Sequence, residues 1–139
     1  MRVVLDQRAL DALAGAHGPA KRRVRQAMAA ASRLRRDVVV PTVVFAELYR
    51  GGGRNQLVDA LLSREEQSLL LRDTDRVLAR LVGAVLAAAG AGSEDLADAH
   101  VVAIAVEAGG GVVLTGDPDD MLRLSDPYRT VVVEALPSR

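Results

Sequence analysis

Asp6, Glu47, Asp98 and Asp117 each interrupt or end a hydrophobic segment: VVLD, VVFAELY, DLADAHVVAIAV and VVLTGD. An ionised carboxylate among apolar residues is costly unless something positive compensates it. Four such positions in one short chain point to a shared site for a hard divalent cation. Carboxylates that converge in a cleft repel one another and raise their own pKa values, and Mg2+ or Mn2+ removes that conflict. Mg2+ takes oxygen ligands at roughly 2.1 Å and keeps several waters, so few protein ligands suffice. The chemistry such a site suits is phosphodiester hydrolysis, because the cation acidifies a water and steadies the charge on a phosphoryl group; one ion or two are both compatible with the residues.

Each acid also has a structural reading. Asp6 directly follows VVL, where an N-cap at a strand-to-helix turn is equally natural. Glu47 has apolar neighbours on both sides; the alternative is an ion pair with Arg50, three residues on. Asp98 shares a helix side with Val101, Val102 and Ala105. Glu94 and Asp95 lie one turn earlier, so three acids line one rim. Complementing the helix dipole after a Ser93 cap accounts for Glu94, and less well for Asp98, which the pattern puts deeper in the helix. Asp117 opens DPDD, a good helix start with Pro at N1 and acids at N2 and N3. It gains weight by following a strand that belongs beside the one Asp6 ends. His100, among valines, reads as a packed, hydrogen-bonded histidine outside the site.

These residues need a scaffold, and composition bounds it. A chain of 139 residues is most simply one domain with a real core. Half the residues are hydrophobic and 2% aromatic, so Ala, Val and Leu must build that core. Absence of Cys removes disulfides, thiolate metal sites and thiol nucleophiles, and with only His17 and His100 a histidine-rich zinc site is not expected. The stretch LVGAVLAAAGAG is too short and glycine-rich to span a bilayer, and MRVVLDQRAL carries an acid too early for a signal peptide, so a soluble cytoplasmic protein is expected. The net charge of zero hides an asymmetry: residues 1–50 carry ten Lys/Arg against four Asp/Glu, and residues 51–139 carry eight against fourteen. The basic excess lies at Lys21, Arg22, Arg23, Arg25, Arg33, Arg35 and Arg36, either a solvated helix face or a phosphate-binding surface. Lys21 is the only lysine, which excludes a catalytic lysine elsewhere.

Short β-rich runs alternate with helical patterns. Strands are expected at 2–5, 38–41, 68–72, 112–115 and 130–133. Helices are expected at 8–15, 19–34, 42–50 with a Thr42 cap, 55–65, from a cap at Asp73 or Thr74 to Gly90, from Ser93 to Glu107, and after Asp117. The alternation implies an α/β fold with a mostly parallel sheet covered on both faces. In such sheets ligands collect beyond the C-terminal strand ends, at the switch in strand order, which is where Asp6 and Asp117 fall.

VVLD, VVFAELYRG and DLADAHVVAIAVEAGGGVVLTGDPDD, in this order and over this length, give the chain a family likeness. It resembles PIN-domain ribonucleases, in particular the VapC-type toxins of bacterial toxin–antitoxin pairs, across residues 1–139. The resemblance implies a single-domain, PIN-like three-layer α/β/α sandwich with a mostly parallel sheet of four to five strands. It implies catalytic, metal-holding acids at Asp6, Glu47, Asp98 and Asp117, a further metal-associated acid at Asp119, and a weaker candidate in Asp95. It further implies Mg2+- or Mn2+-dependent endoribonuclease activity on RNA such as tRNA, a homodimer, and a cognate antitoxin whose C-terminal segment wraps the enzyme and pushes an arginine into the acidic cleft. Two positions depart from the pattern. Gln7 and Arg8 stand where the family has small hydroxyl or amide residues, and Gly116 where it often has Ser or Asn. Arg8 either contacts substrate phosphate or partly occludes the metal site. The alternative function is a catalytically weak or inactive PIN-like module that binds RNA or protein. A receiver domain fits poorly, since Gln7 replaces its second acid and no lysine follows the last strand; a haloacid-dehalogenase-type phosphatase fits poorly because position 8 is Arg8.

Overall fold

The computed structural model of the chain describes residues 1–138. In order, the elements are β1 (Arg2–Leu5), α1 (Gln7–Ala14), α2 (Pro19–Arg33), β2 (Val38–Pro41), α3 (Thr42–Leu48), α4 (Gly52–Arg64), β3 (Leu70–Arg72), α5 (Arg76–Ala89), a 3-10 turn (Ser93–Asp95), α6 (Leu96–Glu107), β4 (Gly111–Thr115), α7 (Pro118–Ser125) and β5 (Val131–Ala135). The five strands form one sheet in the order β3-β2-β1-β4-β5. Every pairing is parallel, so the expectation of a mostly parallel sheet of four to five strands resolves to five strands, all parallel.

Valine-rich strands buried on both faces are what a parallel sheet requires. Val3, Val4 and Leu5 of β1 and Val38, Val39 and Val40 of β2 are all buried. Helices α1 and α2 pack on each other and against β1. Helix α6 lies over β1, β2, β4 and β5 and is flanked by α5 and α7. Its run Ala99–Ala105 is buried without a break, which explains why it shows no polar face in sequence. Gly90 ends α5 in the left-handed conformation, φ 61°, and its N–H caps Leu86 and Ala87 carbonyls.

The helix expected from 55 begins at Gly52 as α4, and three expected helix caps differ. Neither Asp73 nor Thr74 caps α5: Asp75 does, accepting from the Leu78 N–H at 2.8 Å. Thr74 is instead engaged by His100, whose Nε2 lies 2.8 Å from the Thr74 hydroxyl while Nδ1 lies 2.8 Å from the Leu96 carbonyl. Both ring nitrogens of this buried histidine are thus occupied, in keeping with a packing role. Thr42 does not cap α3; Pro41 holds the N-cap position. Ser93 opens a 3-10 turn rather than an α-helix, so Asp98 falls in the first turn of α6 and not deeper in it. Among the described residues, no helix is long and apolar enough to cross a membrane.

The chain runs from β1 outward through β2 to β3, then returns to the other side of β1 for β4 and β5. The switch point therefore lies between β1 and β4. Asp6 follows β1 directly, and Asp117 follows β4 by two residues.

Candidate metal centre

Beyond the carboxyl ends of β1 and β4 opens a cleft of about 200 Å3. Asp6, Glu47, Asp98 and Asp117 all line it, as do Gln7 and Arg8. So do Glu94, Asp95 and Asp120. Asp119 is exposed and is not part of the lining.

Asp6 is both a cap and a cleft residue. One carboxylate oxygen accepts the Ala9 N–H of α1 at 2.9 Å; the other accepts the Thr115 hydroxyl at 2.6 Å and the Gly116 N–H at 3.2 Å. Burial pushes its pKa up, and the hydrogen bonds from Thr115, Ala9, Gly116 and Arg8 oppose that push. Thr115 has a second task, accepting the Asp117 N–H at 2.8 Å through its hydroxyl oxygen. The fully buried Thr115 hydroxyl thus fixes the ends of β1 and β4 against each other. Its signal was in plain sight as the Thr of LTGD, but a strand-end Thr is common and nothing in sequence marks its partner.

Glu47, on α3, is partly buried, and its suggested ion pair is not formed. Arg50 instead donates to the carbonyls of Ala46 at 2.6 Å and Tyr49 at 2.8 Å.

Asp98 is the most perturbed acid of the cleft. Burial, then the charges of Asp6, Asp117, Asp120 and Glu47, push its pKa up to about 7. A first-turn position on α6 should lower the pKa of an acid through the helix dipole, so burial together with the neighbouring carboxylates outweighs the dipole. Asp117 occupies the N-cap position of α7, yet its side chain makes no capping hydrogen bond. It faces Asp120, which raises its pKa chiefly through a shared hydrogen bond, with burial adding and Arg8 opposing.

Asp120 is the residue the sequence reading passed over. Because α7 starts at Pro118, Asp120 is N3, and its carboxyl shares a hydrogen bond with that of Asp117. Asp119, at N2, points away. Carboxylate oxygens of Asp95, Asp98 and Asp120 lie within 4.8 Å of one another. Arg123 neutralises one side of this trio, reaching Asp95 at 3.0 Å and Asp120 at 3.3 Å.

The donor set fits a hard divalent cation: every candidate ligand is a carboxylate oxygen, and the charges of Asp6, Asp117, Asp120 and Glu47 add to burial in raising the Asp98 pKa, a repulsion that a cation would cancel. No histidine or thiol offers a competing softer site in the cleft.

The two unusual positions prove to be one feature. A Cβ on Gly116 would fall 2.5 Å from Arg8 Cβ and 2.6 Å from Arg8 Cγ. The Arg8 stem lies on the Gly116 backbone, so the arginine and the glycine are a matched pair. Gly116→Ala should therefore cost about 2 kcal/mol, because the colliding atom is a Cβ that moves only with its helix. In an Arg8→Gly background the same change should cost less than about half as much. Urea unfolding of the four proteins measures this coupling; additive effects would mean the two residues do not share the space.

The PIN domain family model matches residues 3–126. No curated protein matches the chain. Among solved structures, the chain is similar to one in the crystal structure of VapBC2 from Rickettsia felis bound to a DNA fragment from their promoter. That match has a TM-score of 0.67 at 15% sequence identity and covers 99% of this chain and 100% of the other, a likeness of fold.

Proposed function

Because the chain belongs to the PIN domain family, whose members are generally metal-dependent nucleases, we propose that it is a metal-dependent endoribonuclease of the VapC type, the toxin of a toxin–antitoxin pair. The observation that carries this reading is Asp98, a carboxyl pushed up to about 7 inside a cleft lined with acids at the switch point of a parallel sheet. Asp6, Asp98, Asp117 and Glu47 are the proposed ligands, joined by Asp120; Asp119 remains a more distant candidate. The ion they suit is Mg2+ or Mn2+. Bound there, the cation supplies Lewis acidity toward a phosphodiester and an acidified water.

The protein's own residues have separable tasks in this reading. Asp6, locked by Ala9, Thr115 and Gly116, sets the position of the site. Asp98 and Asp117 bring carboxyls that crowd against acidic neighbours in the protein alone. Asp95 and Asp120, tethered by Arg123, form the rim on the α6–α7 side. RNA, with tRNA as one candidate, is the proposed substrate. Likeness to a chain from a VapBC complex supports a cognate antitoxin as partner, and a homodimer is the proposed assembly.

Incubation with total RNA and Mg2+ or Mn2+ tests the reading. Cleavage by the wild type, and none by Asp98→Asn or in EDTA, is expected. Equal cleavage by wild type and variant would mean a contaminating nuclease and remove the main support. The second reading, an inactive PIN-like module, has Arg8 in its favour as a cation within the cleft. Calorimetric titration separates the two: an intact fold that takes up no Mn2+ favours the module.

A further inference from the structure

Arg8 is the only basic residue lining the acidic cleft. Three features fix what it is placed to do. First, its stem rests on the Gly116 backbone, too close for any side chain at that position, so the base of the side chain is held at the mouth. Second, its guanidinium takes part in none of the ion pairs or side-chain hydrogen bonds of the described residues, although seven carboxylates line the same cleft. Arg123, by contrast, is committed to Asp95 and Asp120. Third, Arg8 is the second residue of α1, where a cation opposes the helix dipole. The helix itself gives no reason for an arginine there.

We propose that Arg8 binds a backbone phosphate of the nucleic-acid strand entering the cleft, next to the bond presented to the carboxylates. This rests on the nuclease reading above and names a substrate contact for it. A polyanion approaching a cleft lined by seven acids is repelled, and a bound divalent cation offsets only part of that charge. A guanidinium fixed at the rim supplies local attraction, and its planar fork matches the oxygens of a phosphate. An arginine that plugged the site would be paired with the carboxylates. This one is exposed and unpaired, yet lines the same cleft.

The test reads phosphate binding separately from cleavage. A short labelled single-stranded RNA is titrated, over a range of salt, against Asp98→Asn, Asp98→Asn/Arg8→Ser and Asp98→Asn/Arg8→Lys proteins, in which the strand is not cut. Loss of one phosphate contact should weaken binding about tenfold and reduce the slope of log K against log salt by about 0.7. Lysine should restore the slope but only part of the affinity. Melting curves of all the variants establish that each is folded at the titration temperature, so that a change in slope reports the lost contact. Unchanged RNA affinity and slope in Arg8→Ser would overturn the proposal, and tighter Mn2+ binding by Arg8→Ser would then identify the arginine as an occluding countercharge. The two readings fail separately. A wild type that cuts no RNA, with the slope still reduced in Arg8→Ser, sinks the nuclease and keeps the phosphate contact. A wild type that cuts RNA, with the slope unmoved, does the reverse.

Discussion

Asp98→Asn is expected to lower RNA cleavage by about a thousandfold or more and, in the metal-free protein, to raise the melting temperature. The two effects have opposite signs for one reason. Asp98 is half-buried among Asp6, Asp117, Asp120 and Glu47, and its pKa is pushed up to about 7. The unfolded chain releases that proton near the ordinary aspartate value of 3.8. Between these values the folded state holds more protons, so the contribution of Asp98 to stability is fully present below about pH 4 and is lost as pH rises through about 7. Asparagine keeps the shape and removes the charge. Above about pH 7 the variant should therefore melt higher, by about 4 °C, which corresponds to about 1 kcal/mol after discounting for the solvent that reaches a partly exposed group. The gain should fade as pH falls toward about 4, where the wild-type carboxyl is itself neutral. Scanning calorimetry across pH, set beside cleavage rates, checks both halves. A variant that loses activity and also melts lower at about pH 8 would assign Asp98 a structural role instead.

Removal of the divalent cation is the second large effect. At a concentration about one hundred times the dissociation constant, Mg2+ or Mn2+ should stabilise the folded state by about 2.7 kcal/mol. For a chain of this length that is a rise in melting temperature of about 10 °C. EDTA should abolish it together with RNA cleavage. The shift should shrink as pH falls below about 7, because the cation must then displace a proton from Asp98. Asp98→Asn should show little of it at any pH. Equal melting temperatures in Mg2+, Mn2+ and EDTA at about pH 8 would argue that the cleft holds no cation at all.

The fold was largely legible because its signals are local. VVL, VVV and VVL are short, β-branched and bounded by turn residues, so the strands could be placed to within a residue or two. Gly90 after a helical repeat of Val and Leu marked the end of α5 correctly. Helix starts were less legible, because several adjacent residues can cap and tertiary partners choose among them. Asp73, Thr74 and Asp75 are all competent; His100, remote in sequence, takes Thr74 and leaves the cap to Asp75. The depth of Asp98 was misjudged because SED forms a 3-10 turn, which moves the start of α6 forward to Leu96. Of the site, the four interrupting acids do share one cleft. The start of α7 at Pro118 was legible, with Asp119 at N2 and Asp120 at N3; which of the two lines the cleft depends on side-chain placement that a sequence pattern does not carry. Thr115 was invisible as an organiser because its role consists of a contact across strands.

That contact joins residues 109 apart in sequence, Thr115 to Asp6. It has a consequence for synthesis. During translation β1 emerges first and β2 and β3 can dock on one of its edges, but the other edge stays open until β4 is made. Closing a loop of this length delays the pairing, as contact-order arguments require. Until then Asp6 keeps only the Ala9 N–H and lacks the Thr115 and Gly116 donors, and Asp98 has neither Asp117 nor a fixed opposite wall. The acidic cleft is thus assembled only once β4 is in place, and a fragment ending before β4 lacks the Thr115 and Asp117 side of it.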